Sequence, residues 1–168
     1  GVVLAGAFAI AVGAWLRVPM TPVPMTMQSL AVVALGALAP RGIACAGVAL
    51  YTGAAFVGLP VLAGFESAPG AEFVALKTSG YVLGFFAGAW IANEMPRSRS
   101  VLAQFGWAAL AHAAILALGV ARLAYAIGIE SALERGFTPF VAGALAKSTL
   151  AVLIVRAAPP VLRSARRG

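Results

Sequence analysis

The sequence predicts an all-α membrane protein of six transmembrane helices, with both termini on the cytoplasmic side. Three observations predict it. First, 62% of the 168 residues are hydrophobic, while 12 Lys or Arg and 5 Asp or Glu make up only 10% of the chain. Soluble domains carry about 25% charged residues. A chain of this length buries only about two-thirds of its unfolded surface, so a soluble fold would leave apolar surface in water. Second, the apolar residues fall into runs approaching the ~17–25 residues of a membrane helix, separated by Pro, Gly and Arg. Third, the charges sit at the ends of the runs and sort by side. A mean hydropathy of +0.98 excludes a disordered chain and opposes a soluble enzyme. The pI near 10.8 does not argue for nucleic acid, because the basic residues form no stripe and no aromatic interleaving.

The elements follow in order as one integral membrane domain over residues 1–168. The first run is Val2–Leu16, ended by Arg17 and the string Val18-Pro19-Met20-Thr21-Pro22-Val23-Pro24. The second is Thr26–Ala39, stopped by Pro40-Arg41-Gly42, and the third is Ile43–Leu59. These two are short and tightly joined, so a re-entrant hairpin is an alternative to two spans. A loop from Pro60 to Lys77 precedes the fourth run, Ser79–Asn93, which closes at Glu94-Met95-Pro96-Arg97-Ser98-Arg99. The fifth is Val101–Val120, followed by a polar, amphipathic interval from Arg122 to Gly136. The sixth is Pro139–Ala158, with Pro159-Pro160 as its stop. No cleavable signal peptide is visible, since Gly1 opens directly into an apolar run. Cys45 alone makes neither a disulfide nor a cysteine metal cluster, and reads as a small buried hydrophobe.

Charge sets the orientation. With the termini inside, the cytoplasmic face holds Arg41, Arg97, Arg99, Arg156, Arg163, Arg166 and Arg167 against Glu94. The outer face holds Arg17, Lys77, Arg122 and Arg135, balanced by Glu66, Glu72, Glu130 and Glu134. Positive residues prefer the cytoplasmic side, so this assignment is self-consistent. It puts the three long connections outside, where binding residues concentrate. Small residues at four-residue spacing mark close helix packing in lipid. The first run offers Ala5, Ala9 and Gly13, with Ala7 and Ala11 beside them, and the fourth offers Gly80, Gly84 and Gly88. Each stripe serves either intramolecular packing or a partner protein.

Lys147 is the most informative residue. It lies within an apolar run about 12 Å along the helix from Pro139, with no acid three or four positions away. A charge at that depth costs about 2.5–3.5 kcal/mol on insertion scales and marks a functional site by default. It either snorkels to the outer interface or binds an anion such as a substrate carboxylate. His112, the single histidine, reads as a packed imidazole, since it lacks a second metal ligand. The spans hold no acid for a proton relay, and the chain has neither a catalytic triad nor a GxxxxGK[ST] phosphate loop. Thr26 and Gln28 follow the proline string at a helix mouth. Thr26 is an N-cap or a ligand contact, and Gln28 needs a partner, either a ligand amide or ureido group or a loop carbonyl. Tyr81 is an interfacial aromatic or a ligand contact, and Trp15, Trp90 and Trp107 read as interface anchors.

Four segments carry a resemblance. Thr21-Pro22-Val23-Pro24-Met25-Thr26-Met27-Gln28-Ser29-Leu30-Ala31 resembles the TPVP-x-T-x-Q-[ST]-[LF]-A signature of the biotin substrate-capture proteins of energy-coupling factor (ECF) transporters. Gly58-Leu59-Pro60-Val61-Leu62-Ala63-Gly64 is similar to the G-[LV]-P-x-[FL]-A-G segment of that family. Thr78-Ser79-Gly80-Tyr81-Val82-Leu83-Gly84-Phe85 resembles the start of its fourth helix. Gly136-Phe137-Thr138-Pro139-Phe140, with Gly143 and Lys147, resembles its last helix. The four together, in order and over nearly the whole chain, are a specific match.

The resemblance implies the six-helix fold of ECF substrate-binding (S) components, in the bacterial cytoplasmic membrane. The vitamin would sit in an outward-facing pocket roofed by the first and third outer loops. It implies vitamin capture without enzymatic activity or cofactor. Transport would need a transmembrane coupling protein and two ATP-binding-cassette ATPases, with Ala5 and Ala9 docking on the coupling protein. The implied substrate site comprises Lys147, Tyr81, Gln28, Thr26, Ser79, Phe140 and Gly143, with Glu66 as a further acceptor. There are departures. Ala144 stands where the family has the Asp associated with the ureido ring, and the loop Phe65–Lys77 carries Glu66, Glu72 and Lys77. Losing a charged acceptor costs about 1.5–3 kcal/mol, unless Gln28, Glu66 or Glu72 substitutes. A different carboxylated vitamin, or a proton-coupled or other small-molecule carrier, is the alternative reading.

Overall fold

Helix formation follows the apolar runs closely in the computed structural model, which describes residues 1–96 and 100–159. Six helices coincide with the six runs: α1 Val2–Trp15, α2 Gln28–Leu38, α3 Arg41–Phe56, α5 Ser79–Asn93, α6 Val101–Ile127 and α8 Thr138–Ala157. Two short helices lie in the connections, α4 Ala71–Ala75 and α7 Ile129–Gly136. The strands β1 Arg17–Val18 and β2 Met25–Thr26 pair antiparallel, Arg17 opposite Thr26 and Val18 opposite Met25. By length and composition α6 and α8 are each sufficient to cross a membrane, whereas α1 and α2 are apolar but shorter. Leu102, Leu153 and Phe8 are among the large apolar side chains left on the outer surface. The residues Arg97, Arg99, Pro160, Arg163, Arg166 and Arg167, which carry part of the expected charge asymmetry and helix stop, lie outside the described residues.

Element boundaries depart from expectation for local reasons. Thr26 is in β2 rather than α2, because the hairpin closed by the proline string holds the chain extended as far as Thr26. The second helix therefore starts at Gln28, and Thr26 is not its N-cap. The third begins two residues early, with Pro40 as the N-cap, and stops before Gly58, whose φ of 89° ends the helical path. The fifth run is longest in error. Helix α6 continues through Arg122 to Ile127 and breaks only at Gly128 (φ 83°). A polar residue there is tolerated because the Arg122 guanidinium donates to the carbonyls of Val74 and Ala75 (3.2 and 2.9 Å). Cys45 is only half-buried.

The glycines of α5 form an internal seam. A Cβ on Gly84 would meet the Ile115 backbone at 3.0–3.1 Å, so α5 and α6 touch backbone to backbone. Gly13, read with Ala5 and Ala9, turns inward instead. Four-residue spacing drifts around a 3.6-residue helix, and Gly13 packs on the start of α2 while Ala5 and Ala9 stay exposed. At one end of the bundle Asn93 donates to the Gly36 and Ala39 carbonyls, both at 2.9 Å, closing the orphan C-terminus of α2. Arg41 pairs with Glu94 and lies over Trp90 at the same end. The three long connections gather at the opposite end, joined by Trp15 to Pro60, Arg17 to Ala63 and Tyr81 to Gly136.

Candidate functional site

A cavity of about 650 Å³ opens at the end where the long connections meet. Pockets for small molecules run about 300–1,000 Å³ and combine apolar walls with a few placed polar groups. The β1–β2 connection and the α3–α5 connection form its mouth, and α2, α5, α6 and α8 supply its walls. Trp15 ties the mouth together. Its ring stacks on Phe65 at 4.7 Å, and its indole donates to the Pro60 carbonyl (3.3 Å). Trp15 is therefore joined to a loop rather than standing alone as an interface anchor. Beside it Arg17 approaches Glu66 (3.9 Å) and donates to Ala63 (3.4 Å).

Six of the eight expected substrate residues line the cavity: Lys147, Tyr81, Gln28, Thr26, Phe140 and Glu66. Lys147 does not snorkel. It is 8% exposed, and its ammonium donates to the Thr26 carbonyl (2.6 Å) and the Ser29 hydroxyl (3.3 Å). Among the described residues no carboxylate lies within ion-pair distance of it. Gln28 is already engaged: its amide donates to the Tyr51 hydroxyl (2.5 Å) and its carbonyl accepts from the Thr26 hydroxyl (2.9 Å). Tyr51 in turn donates to the Val61 carbonyl (3.2 Å), so the α2 mouth is wired to the third connection. Tyr81 donates to the Gly136 carbonyl (2.8 Å), which leaves its ring to the cavity, 6.1 Å from that of Phe140. Gly119 makes room for that ring, since a Cβ there would overlap it.

Two expected residues lie elsewhere. Ser79 donates to the Leu76 carbonyl (2.8 Å) and borders a separate apolar crevice between α3 and α5. Its hydroxyl is used to stop α4, because a helix end needs its carbonyls satisfied. Gly143 faces Met25, whose sulfur a Cβ would approach to 2.9 Å. It gives the hairpin room instead of touching a ligand. The structure adds Tyr51, Arg17, Lys77 and His112, which sequence reasoning did not place in the site, and brings in Glu72 and Ala144, which it had named there as a substitute acceptor and as a departure. Tyr51 is buried and supports Gln28, and the need of Gln28 for a partner was the one signal for it. Arg17, Glu72 and Lys77 line the mouth, and His112 and Ala144 line the wall. His112 is packed as expected, with Nδ1 2.9 Å from the Ala108 carbonyl and 3.0 Å from Ser148 Oγ.

The chain also matches the BioY family over residues 1–164. It belongs to the BioY family. Among BioY relatives, the biotin transporter BioY of Thermotoga maritima is 34% identical over 147 residues, covering 86% of each chain. In fold, the BioY chain described here is similar to the crystal structure of the S-component for biotin from an ECF-type ABC transporter. The match has a TM-score of 0.77 and 22% identity, and covers 92% of this chain and 88% of that one. The all-α membrane fold of an ECF S component is thereby established.

Proposed function

We propose that this chain is the vitamin-capture subunit of an ECF-type transporter and that its substrate is biotin. The observation that carries the reading is Lys147, a buried ammonium on a cavity wall whose partners among the described residues are a carbonyl and a hydroxyl. A carboxylated or strongly polar ligand satisfies it. Membership in the BioY family makes biotin the first candidate. The aromatic pair Tyr81 and Phe140 supplies an apolar wall for a fused ring, and Gln28 and Thr26 supply a polar one. Arg17, Lys77, Glu66 and Glu72 line the mouth through which the ligand enters. The protein is a multi-pass component of the bacterial cytoplasmic membrane with the mouth outside and both termini inside. ATP hydrolysis belongs to two separate ATPases, reached through a coupling protein that docks on α1 at Ala5 and Ala9.

The test is equilibrium binding of labelled biotin to purified protein. Lys147→Ala removes a charge-assisted hydrogen bond of about 1.5–3 kcal/mol, so affinity falls about tenfold to a hundredfold. Equal binding by wild type and variant defeats the site assignment. Ala144 favours a second reading, a different carboxylated vitamin, because no carboxylate stands at that point of the wall. A vitamin panel read by thermal shift in detergent separates the two: the true ligand raises the melting temperature and the others do not.

A further inference from the structure

Among the described residues, three buried side-chain polar atoms lack a hydrogen-bond partner: Arg41 Nε, Thr52 Oγ1 and His112 Nε2. Arg41 lies at the far end of the bundle with Glu94, and Thr52 borders the crevice between α3 and α5. His112 alone of the three belongs to a residue lining the main cavity. Its ring is 2% exposed, so bulk water does not satisfy the nitrogen. Buried polar groups are ordinarily paired, and an orphan in a native fold calls for an explanation.

The hydrogen-bond network fixes the proton on the other nitrogen. Ser148 Oγ donates its one proton to the Ala144 carbonyl (2.8 Å), so toward His112 it is an acceptor. The Ala108 carbonyl is also an acceptor. Nδ1 faces both and must be the donor. In the singly protonated ring that leaves Nε2 with a lone pair. The Nδ1 edge is held against α6 itself and α8, while the residue lines the cavity and its Nε2 stays buried and unpaired. Histidine χ2 is a broad torsion, so Nε2 reaches a ligand in the adjoining cavity by a turn of the ring.

We infer that His112 Nε2 accepts a hydrogen bond from an N–H of the bound ligand. On the biotin reading, on which this rests, the donor is a ureido N–H. The remaining cavity groups explain why an acceptor is needed there. The carboxylates Glu66 and Glu72 stand at the mouth, whereas on the wall Lys147 is a donor only, the hydroxyl of Tyr81 is committed to Gly136, and the carbonyl of Gln28 already accepts from Thr26. A cyclic urea presents two N–H donors and one carbonyl. Lys147 and His112 on neighbouring helices offer one donor and one acceptor to such a group. Ala144, one turn before Ser148 on the same wall, offers neither.

His112 is the single histidine, so imidazole ¹⁵N labelling reports this residue alone. The expected spectrum shows a protonated Nδ1 and an unprotonated Nε2, with the Nε2 resonance shifting when biotin is added. In parallel, biotin and biotin methylated on its ureido nitrogens are titrated into wild type, His112→Asn and His112→Gln. Asn keeps a donor to Ala108 and deletes the acceptor, whereas Gln keeps an acceptor near Nε2. Biotin affinity falls tenfold or more in the Asn variant and recovers in large part in the Gln variant. The wild-type preference for biotin over its methylated form shrinks in the Asn variant by the same factor. An Nε2-protonated ring, an unmoved Nε2 resonance, or equal biotin affinity in wild type and His112→Asn overturns the inference while leaving the biotin reading intact. Failure of wild-type protein to bind biotin at all overturns both. If the Asn variant does not fold, the labelled wild-type spectrum decides.

Discussion

Lys147 and His112 define the polar wall of the cavity from adjacent helices, and each shows what a single side chain does when water is withdrawn. The ammonium of Lys147 borrows a backbone carbonyl and a hydroxyl. A charged donor held by neutral acceptors retains capacity for an anion or a strong dipole. Position 144 lies three residues earlier on α8 and also lines the cavity, so a carboxylate there neighbours Lys147 on the helix surface. Ala144→Asp accordingly supplies a charged acceptor for a ligand N–H. Biotin affinity rises about tenfold, the worth of one charge-assisted hydrogen bond. The rise is larger in a His112→Asn background, where the competing acceptor is gone. A double-mutant cycle on the binding constants measures this coupling, and additive effects show that the two positions do not serve the same ligand atom.

Helix α5 shows how one element positions the site. Its glycines bring α5 against α6 closely enough for the Tyr81 ring to fill the space at Gly119, which in turn aims the Tyr81 hydroxyl at Gly136. Gly84→Leu inserts a side chain where a Cβ alone already crowds the Ile115 backbone. Overpacking of this kind costs about 1–3 kcal/mol, so the melting temperature in detergent falls and biotin binding weakens with it. An unchanged melting temperature refutes a backbone-to-backbone seam. The even glycine spacing in α5 was legible as a close-packing stripe, and the structure decides between its two readings in favour of an internal seam. The six helical runs were legible too, and the bounds of α5 coincide with its run residue for residue. Three features were not legible: the extension of α6 past Arg122, the diversion of Ser79 to the end of α4, and the engagement of Gln28 by Tyr51. The first and last rest on partners 48 and 23 residues away whose approach only the fold determines, and the second on a short helix α4 that the sequence pattern did not show. Local pattern reports burial and period, whereas such pairs depend on which carbonyls and hydroxyls the chain happens to leave unpaired.

Across the whole molecule the polar groups divide into two ends. Arg41, Glu94 and Asn93 mark one, and the cavity mouth with Arg17, Glu66, Glu72 and Lys77 marks the other. In the proposed orientation the Arg41 end is cytoplasmic and the mouth faces outward toward dilute substrate. Capture on that side does not by itself move the ligand, so the proposed function requires a lateral surface for a coupling protein. Helix α1 provides a surface of the right character. Gly6, Ala7, Ile10 and Ala11 are buried, while Ala5 and Ala9 remain exposed beside Val2, Leu4 and Phe8. Small residues on an outward face permit close approach of a partner helix, whereas lipid contact alone makes no demand for them. Ala5→Trp with Ala9→Trp blocks that approach without entering the cavity, which α1 does not line. The doubly substituted protein binds biotin with wild-type affinity but no longer co-purifies with its coupling protein and ATPases, and uptake in cells is lost. Retained co-purification moves the docking surface off α1, and lost biotin binding shows that the outer face of α1 supports the cavity after all.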